Sequence, residues 1–373
     1  MFKFFFLQHS NIEIIVENGV PRGGSVVETL VWMKALHGLA HEVFQAKLED
    51  DDRPLMPEFE WVKPVKIYHS QKYSKFGLRY FYRLPKLFLA LQKTKCNYLY
   101  TSIPSPFSFY VSLICKAIGV KHIIRIANDK NVDLSLDKSL SPFDKFLVGM
   151  SYRLADFIVT QNEFQYQGIK SQFHGKKVFK LFNPIVLDYD YLHPRKEATG
   201  YIAWVANFRH QKNLKLLYEI SLICKNEMFK IAGIPLIPMD EETEIYVEKL
   251  KTLSNVEFVG QVSQSGMLEF MKMAKILLST SRYEGFSNTF LEAMTVGMPI
   301  FSTDTVNPDG IIDKFDLGIL YKDAKDFKSK LDAMELSEFQ IMSQNTVDYV
   351  TKNHDHLMIG RNFLGYLTAS NLP

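Results

Sequence analysis

The 373-residue chain predicts an α/β fold of two doubly wound domains in tandem, and three observations carry that expectation. Short apolar runs alternate with amphipathic helical patterns along the chain, the signature of helices layered on parallel sheets. The alternation lapses once, over residues 182–200, and then restarts. The length exceeds one ordinary domain and suits two, each with a substantial core.

In the first half, strands are expected at 2–7 (FKFFFL), 42–46, 65–68, 98–101, 122–126, 157–160 and 178–181, with helices at 26–37, 107–117 and 143–155. Pro85 should kink or split any helix in the tract 72–95. The stretch FNPIVLDYDYLHPRKEATG carries two prolines and mixed charge and reads as a linker. The expected organisation is an N-terminal domain over 1–185, a linker over 186–199 and a C-terminal domain over 200–353. In the latter, strands are expected at 201–205, 229–232, 256–259, 276–279 and 300–302, with helices at 213–224, 264–273 and 288–296. A last segment, 354–373, carries a helix near 354–367 that follows the second sheet. Two such domains would leave a cleft between them, with ligands at the carboxyl ends of strands.

Hydrophobic residues make up 47% and charged residues 23%, an ordinary soluble balance. Cys96, Cys115 and Cys224 lie far apart, which argues against a disulfide framework or a zinc site and fits a reducing cytoplasm. Gln8, His9, Asn11 and Glu13 interrupt the apolar start, so it does not read as a signal peptide. No apolar run reaches membrane-spanning length, and a soluble or peripheral protein is expected. Between Trp61 and Asn128 there are twelve Lys and Arg and no Asp or Glu, although the whole chain is only +3. That asymmetry points to an anionic partner. Within it, Lys72, Lys75, Arg79, Arg83 and Lys86 are interleaved with Tyr73, Phe76, Tyr80, Phe81 and Tyr82. Such a surface suits docking on an anionic bilayer, the alternative being a solvated basic helix face over buried aromatics. No nucleic-acid motif accompanies the charge, so nucleic acid is not expected as a partner.

The stretch SRYEGFSNTFLEAMTVGMPIFST (281–303) holds Glu284 and Glu292 in an otherwise almost uncharged run. Glu284 precedes a helix for which Ser287 is a suitable N-cap, and Glu292 falls on its early turns. The helix N-terminus near Asn288, Thr289 and Phe290 can bind an anion, and each carboxylate can accept hydroxyl hydrogens. The pattern fits a phosphate-bearing ligand flanked by hydroxyl groups, and equally a capping loop followed by a solvated glutamate.

This stretch resembles the E-x7-E motif of retaining GT-B glycosyltransferases of the large family numbered four. Glu284, Gly285, Phe286, Leu291, Glu292, Ala293, Met294, Gly297 and Pro299 match its pattern. The resemblance implies that Glu284 contacts the transferred sugar and Glu292 the nucleotide's ribose, with Phe286, Ser287, Asn288 and Thr289 lining the donor. YIAWVANFRHQKNLKLLYEI is similar to a second family segment, in which a strand is followed by an arginine and then by K-N or K-G. Lys212-Asn213 fits, Asn207 stands at the usual arginine position, and Arg209 lies two residues on. The resemblance assigns Lys212, with Arg209 as the substitute arginine, to neutralising the departing diphosphate. NGVPRGGSVVETLVWMKALHGLAHEV resembles the family's glycine-rich loop, which implies donor contact at Gly23 and Gly24.

The loop 8–22 before that glycine-rich stretch is long, as functional loops often are, which makes His9 and Glu13 candidates for acceptor contact, the alternative being a solvent-exposed loop. Asn128 and Asp129, with Arg125 adjacent, occupy the region where many members carry a histidine near the sugar. Asp50–Asp52 and Asp188–Asp190 satisfy a D-x-D metal pattern only formally, and no metal or other cofactor is expected. The implied protein is a metal-independent retaining hexosyltransferase of two Rossmann-like GT-B domains facing a cleft. Its donor would be a nucleotide-sugar, UDP favoured over GDP, and its acceptor a glycan or lipid-linked glycan in cell-surface polysaccharide or lipopolysaccharide biosynthesis. It would be cytoplasmic, peripheral on the inner face of the plasma membrane if the basic tract docks there. The alternative is a catalytically degenerate GT-B protein that binds glycan or serves a partner enzyme.

Overall fold

A computed structural model describes residues 1–21, 23–70, 78–133 and 140–369, apart from the side chains of residues 78 and 79. The chain forms two compact units, Met1–Pro184 with His356–Pro373, and Ile185–Asp355.

The first unit opens with strand β1 (Lys3–Phe6), helix α1 (Gly24–Gly38), β2 (Glu42–Lys47) and β3 (Lys63–Lys66). It continues through α2 (Leu78–Thr94), β4 (Tyr98–Ser102), α3 (Pro106–Ile118), β5 (Lys121–Arg125), α4 (Pro142–Leu154), β6 (Phe157–Thr160), α5 (Glu163–Gln172) and β7 (Lys177–Lys180). The strands form one sheet in the order β3-β2-β1-β4-β5-β6-β7, and every pairing is parallel. Parallel neighbours need crossover helices, which cover both faces and make the strands apolar on both sides. Phe4, Phe5 and Phe6 are accordingly all fully buried. Phe4 and Phe6 pack in the cluster that contains Trp32 and Leu36 of α1, while Phe5 packs among Leu87 of α2 and Val111 of α3.

The second unit repeats the plan with β8 (Tyr201–Val205), α6 (Leu214–Ile223), β9 (Phe229–Ala232), α7 (Glu241–Lys251), β10 (Val256–Gly260), α8 (Gln264–Lys272), β11 (Ala274–Ser279) and α9 (Asn288–Thr295). Then come β12 (Ile300–Thr303), α10 (Ile311–Lys314), β13 (Gly318–Tyr321), α11 (Ala324–Ala333) and α12 (Leu336–His354). The six strands order as β10-β9-β8-β11-β12-β13, again wholly parallel. The final helix, α13 (His356–Ala369), returns to the first unit. Its Phe363 lies against Trp32 and Phe4, and Gly360 lets it approach Ala35 of α1 closely.

Several expectations are corrected. Helix α2 runs unbroken through Pro85. Pro85 and Phe81 both lie on its solvent side, where the carbonyl released by the missing proline N–H can meet water. The stretch read as a linker packs along the second unit: the Arg195 amide donates to Ser343 Oγ, and its guanidinium reaches the carbonyls of Lys272 and Ala274. β13, α7, α11 and α12 were not anticipated.

Arg125, expected to face a ligand, is fully buried at the end of β5. Nε donates to Glu28 Oε1 of α1 at 2.9 Å, Nη1 to the Leu181 carbonyl at 3.0 Å and Nη2 to Asn183 Oδ1 at 2.6 Å. Its guanidinium lies over the Trp32 ring, whose indole N–H also donates to Glu28. Burying the two charges is tolerable because each is paired and hydrogen-bonded. Arg125→Met would leave Glu28 buried without its cation and is expected to destabilise the first unit by about 3–5 kcal/mol, with Arg125→Met/Glu28→Leu recovering much of the loss. Urea unfolding followed by circular dichroism tests this, and a single-variant cost below about 1 kcal/mol would remove the structural role.

Candidate functional site

In each sheet the strand order reverses once: between β1 and β4 in the first unit, and between β8 and β11 in the second. At such a switch point the loops leaving the two central strands diverge to opposite faces and open a crevice at the carboxyl edge. In the second unit those loops are 206–213, after β8, and 280–287, after β11. They carry Lys212 and Glu284.

Lys212 Nζ and a Glu284 carboxylate oxygen form a close ion pair, with side chains only 13% and 10% exposed. Ser281 Oγ donates to the same Glu284 oxygen at 2.9 Å. The main chain around the pair is stitched together. Thr280 Oγ1 donates to the Lys212 carbonyl at 2.7 Å and itself accepts from the indole N–H of buried Trp204 at 2.9 Å. The Arg282 amide donates to the Gln211 carbonyl at 2.8 Å, and Gln211 Nε2 donates to the Tyr283 carbonyl at 2.7 Å. Arg282 in turn reaches the His210 carbonyl and Glu242. Asn213 sits at φ +52° and caps α6 through Leu216 N–H, which explains why Asn or Gly suits this position: both tolerate the left-handed region. Gly233, after β9, lies at φ +144°, where a Cβ would fall 1.9 Å from the Ala206 carbonyl oxygen. It permits the loop after β9 to lie against the loop after β8.

Glu292 lies one turn into α9 and is half-buried. Burial alone pushes its carboxyl up to about 7, with no hydrogen bond or charge to offset it. Phe286 is buried against Phe290. Ser287 is the N-cap residue as expected, but its hydroxyl pairs with Thr289 Oγ1 at 2.7 Å instead of capping an amide. Gly297 ends the helix at φ +64°, with its Cβ position 2.7 Å from the His193 carbonyl. Asn207 is half-buried in the loop after β8, and Arg209 is exposed at the start of the turn His210–Lys212.

In the first unit, Gly23 at φ +90° is the N-cap of α1 and Gly24 its first residue. His9 and Glu13 line one cavity of about 740 Å³, together with Leu48, Asp50, Asp51 and Arg53. Arg53 binds both Glu13 oxygens, at 2.9 and 2.6 Å, and its hydrogen bonds hold Glu13 below the usual carboxylate range. Desolvation first and the Arg83 charge second hold the His9 imidazole below the usual histidine range. Asp52 pairs with Lys66, and Asp50 accepts from the Ser70 amide. Asn128 and Asp129 prove to be turn-builders. Asn128 Oδ1 accepts from Lys130 N–H at 3.0 Å, and Asp129 Oδ1 accepts from Asn162 at 3.1 Å and Gln165 at 2.8 Å.

Two of the cations expected at a membrane surface have protein partners. Arg83 lies over the Tyr68 ring and donates to the Ser70 carbonyl, and Lys86 pairs with Glu49. Lys72, Lys75 and the Arg79 side chain lie outside the described residues. Sequence reading missed Thr280, Ser281, Gln211, Trp204 and Gly233. Ser281 and Gln211 were in view as neighbours of the motif glutamate and lysine, but Trp204 and Gly233 depend on tertiary packing.

Glu292 generates a pH-dependent stability. The folded state holds its proton up to about pH 7, whereas an unfolded glutamate releases it near 4.5. Between those values the folded state binds more protons, so this contribution to stability falls as pH rises. Discounted for partial exposure, Glu292→Gln should stabilise the protein by roughly 2 kcal/mol at pH 8 and by little near pH 5. Melting curves of the two proteins at both pH values check this, and a pH-independent difference would contradict it.

Residues 193–353 match the family described as Glycosyl transferases group 1. A curated relative, Glycosyltransferase 1 domain-containing protein 1 of Xenopus tropicalis, is 30% identical over 110 residues, which cover 28% of this chain and 31% of that protein. The chain thus matches about a third of that relative's length. Among solved structures, sucrose-phosphate synthase of Thermosynechococcus elongatus superposes with a TM-score of 0.78 at 13% identity, covering 99% of this chain and 98% of that one. Anabaena HepE, solved in complex with UDP and glucose, superposes with a TM-score of 0.72 at 12% identity, covering 99% and 100%. With its two all-parallel Rossmann-like units, the chain has the GT-B fold and carries a glycosyltransferase group 1 domain across residues 193–353.

Proposed function

We propose that the protein is a retaining, metal-independent glycosyltransferase that moves a sugar from a nucleotide-sugar to a glycan or lipid-linked acceptor in cell-surface polysaccharide or lipopolysaccharide assembly. The observation that carries the proposal is the Lys212–Glu284 pair at the switch point of the domain that matches the glycosyltransferase family. The motif resemblance supplies the roles. Glu284 accepts hydroxyl hydrogens of the donor sugar, and Glu292 accepts those of the ribose. A half-buried carboxylate without a donor gains from such bonds, since they offset its desolvation. Lys212, aided by Arg209, turns toward the diphosphate and stabilises the charge that develops on it as the glycosidic bond breaks. Asn207, Phe286, Ser287, Asn288 and Thr289 complete the donor pocket.

On this reading the cations do the work a metal would do, so EDTA should leave the rate unchanged. UDP is the favoured nucleotide, consistent with the HepE complex, and GDP is the other candidate. The His9–Glu13 cavity is the favoured acceptor site. Among the described residues no helix is long and apolar enough to cross a membrane, which is compatible with peripheral attachment to the inner face of the plasma membrane.

A panel of UDP- and GDP-sugars tests the proposal by nucleotide release. One donor should turn over, and Glu284→Ala and Lys212→Ala should each reduce the rate by about 10²–10³-fold. If no donor binds anywhere in the panel, the protein is instead a degenerate glycan-binding or accessory GT-B protein.

A further inference from the structure

The four helices α2, α3, α4 and α5 lie on one face of the first sheet. The strands they connect step in one direction, β3 to β4 to β5 to β6 to β7, and right-handed crossovers place all such helices on the same side. Each carries a phenylalanine near its start that is not fully buried: Phe81 in α2, Phe109 in α3, Phe143 and Phe146 in α4, and Phe164 in α5. Phe109 is half-buried, while Phe81, Phe143, Phe146 and Phe164 are 83%, 65%, 57% and 58% exposed. These four make up all but one of the exposed phenylalanines among the described residues, the exception being Phe315 in the other unit. Scattered apolar side chains need no explanation, but four aromatics gathered at one end of a helix layer do.

Aromatic ring contacts bridge α2 and α3 at this end. Tyr80 lies 5.0 Å from Tyr110, which lies 5.3 Å from Phe109. Below the rim, Leu89 and Leu113 continue it on the outer stripes of α2 and α3. Each helix then ends in a cation within its last turn: Lys93, Lys116, Arg153 and Lys170. The four helices hold eight Lys and Arg against two carboxylates, and both carboxylates are engaged, Asp144 with Ser141 and Glu163 with Lys180. Glu49, facing α2 from the loop after β2, is occupied by Lys86 and Tyr82.

We propose that this aromatic rim inserts into the interface of an anionic lipid bilayer, with the basic lower part of the α2–α5 layer held against its headgroups. An aromatic side chain is stable at the boundary of acyl chains and headgroups, and cations set one to three helical turns back meet the phosphate layer. Among the described residues of these four helices, the two carboxylates are already engaged, which disfavours a cationic partner. The proposal deepens the lipid-linked-acceptor reading and relocates membrane contact from the basic tract at 72–86 to the helix starts.

Flotation with vesicles of phosphatidylcholine containing about one third phosphatidylglycerol tests it. The protein should float with these vesicles at low salt, release as salt rises, and bind pure phosphatidylcholine far more weakly. Combined Phe81→Ser, Phe143→Ser, Phe146→Ser and Phe164→Ser should lower binding about tenfold or more with an unchanged melting curve, because all four side chains are exposed. Lys93→Glu/Lys116→Glu should weaken binding to the anionic vesicles alone. Absence of flotation at low salt, or equal flotation of the serine variant, would overturn the proposal. So would concentration-dependent self-association that the serine variant abolishes, which would make the rim a contact between copies. Nucleotide release is read without vesicles, so failure of docking and failure of glycosyl transfer are separate results.

Discussion

The single reversal of strand order in each parallel sheet is the constraint on which the rest of the molecule depends. Parallel strands oblige every connection to cross over the sheet, so both faces are covered and all loops of one kind gather at the carboxyl edge. Where β8 and β11 lie side by side, their loops leave toward opposite faces, yet their first residues must start next to each other. Lys212 and Glu284 are 72 residues apart in sequence and meet for that reason. Trp204, Thr280, Gln211 and Ser281 then fix the two loops against one another, which gives the site its geometry.

Among the described residues, the Arg125–Glu28 and Lys212–Glu284 pairs are both largely buried, and their surroundings differ. Arg125 and Glu28 are closed off, 0% and 6% exposed, and satisfied by Leu181, Asn183 and Trp32. That pair ties α1, β5 and the chain after β7 together, and a ligand has no access to it. Lys212 and Glu284 retain some exposure, and both bonds to Glu284 fall on one oxygen. Glu292, one helix turn into α9, is shifted by burial with no compensating donor among the described residues. The two units thus differ: the first holds a closed, satisfied polar network, and the second a partly exposed ion pair at a strand-end crevice.

Much of the architecture was legible because its signals are local. Alternating apolar runs marked twelve of the thirteen strands that the two sheets contain, although β3 falls two residues earlier than its apolar run suggested. Gly297 and Pro299 marked the end of α9 because a left-handed residue stops a helix. The elements that were missed carry weak local signals. β13 is short, α11 and α12 are rich in polar residues, and α2 is helical despite Pro85 because that proline lies on its solvent side.

The candidate site divides in the same way. Glu284, Glu292, Lys212 and Asn213 could be singled out from spacing and motif, since a strand end, a turn and a helix start are written within about a dozen consecutive residues. Arg125 could not be read from its position, because its partner Glu28 is 97 residues away and an unpaired arginine in the same place would have faced solvent or ligand. The basic tract likewise looked like one surface in sequence, whereas folding turned Arg83 onto Tyr68, paired Lys86 with Glu49, and assembled an aromatic rim from four separate helices. The amino-acid sequence alone specified periodicity, turn chemistry and the residue types of the motif, because each is set by neighbours along the chain. Which charges are satisfied inside, which carboxylate lacks a partner, and which aromatics share a face were decided only by the tertiary structure, because those depend on side chains brought together from distant positions.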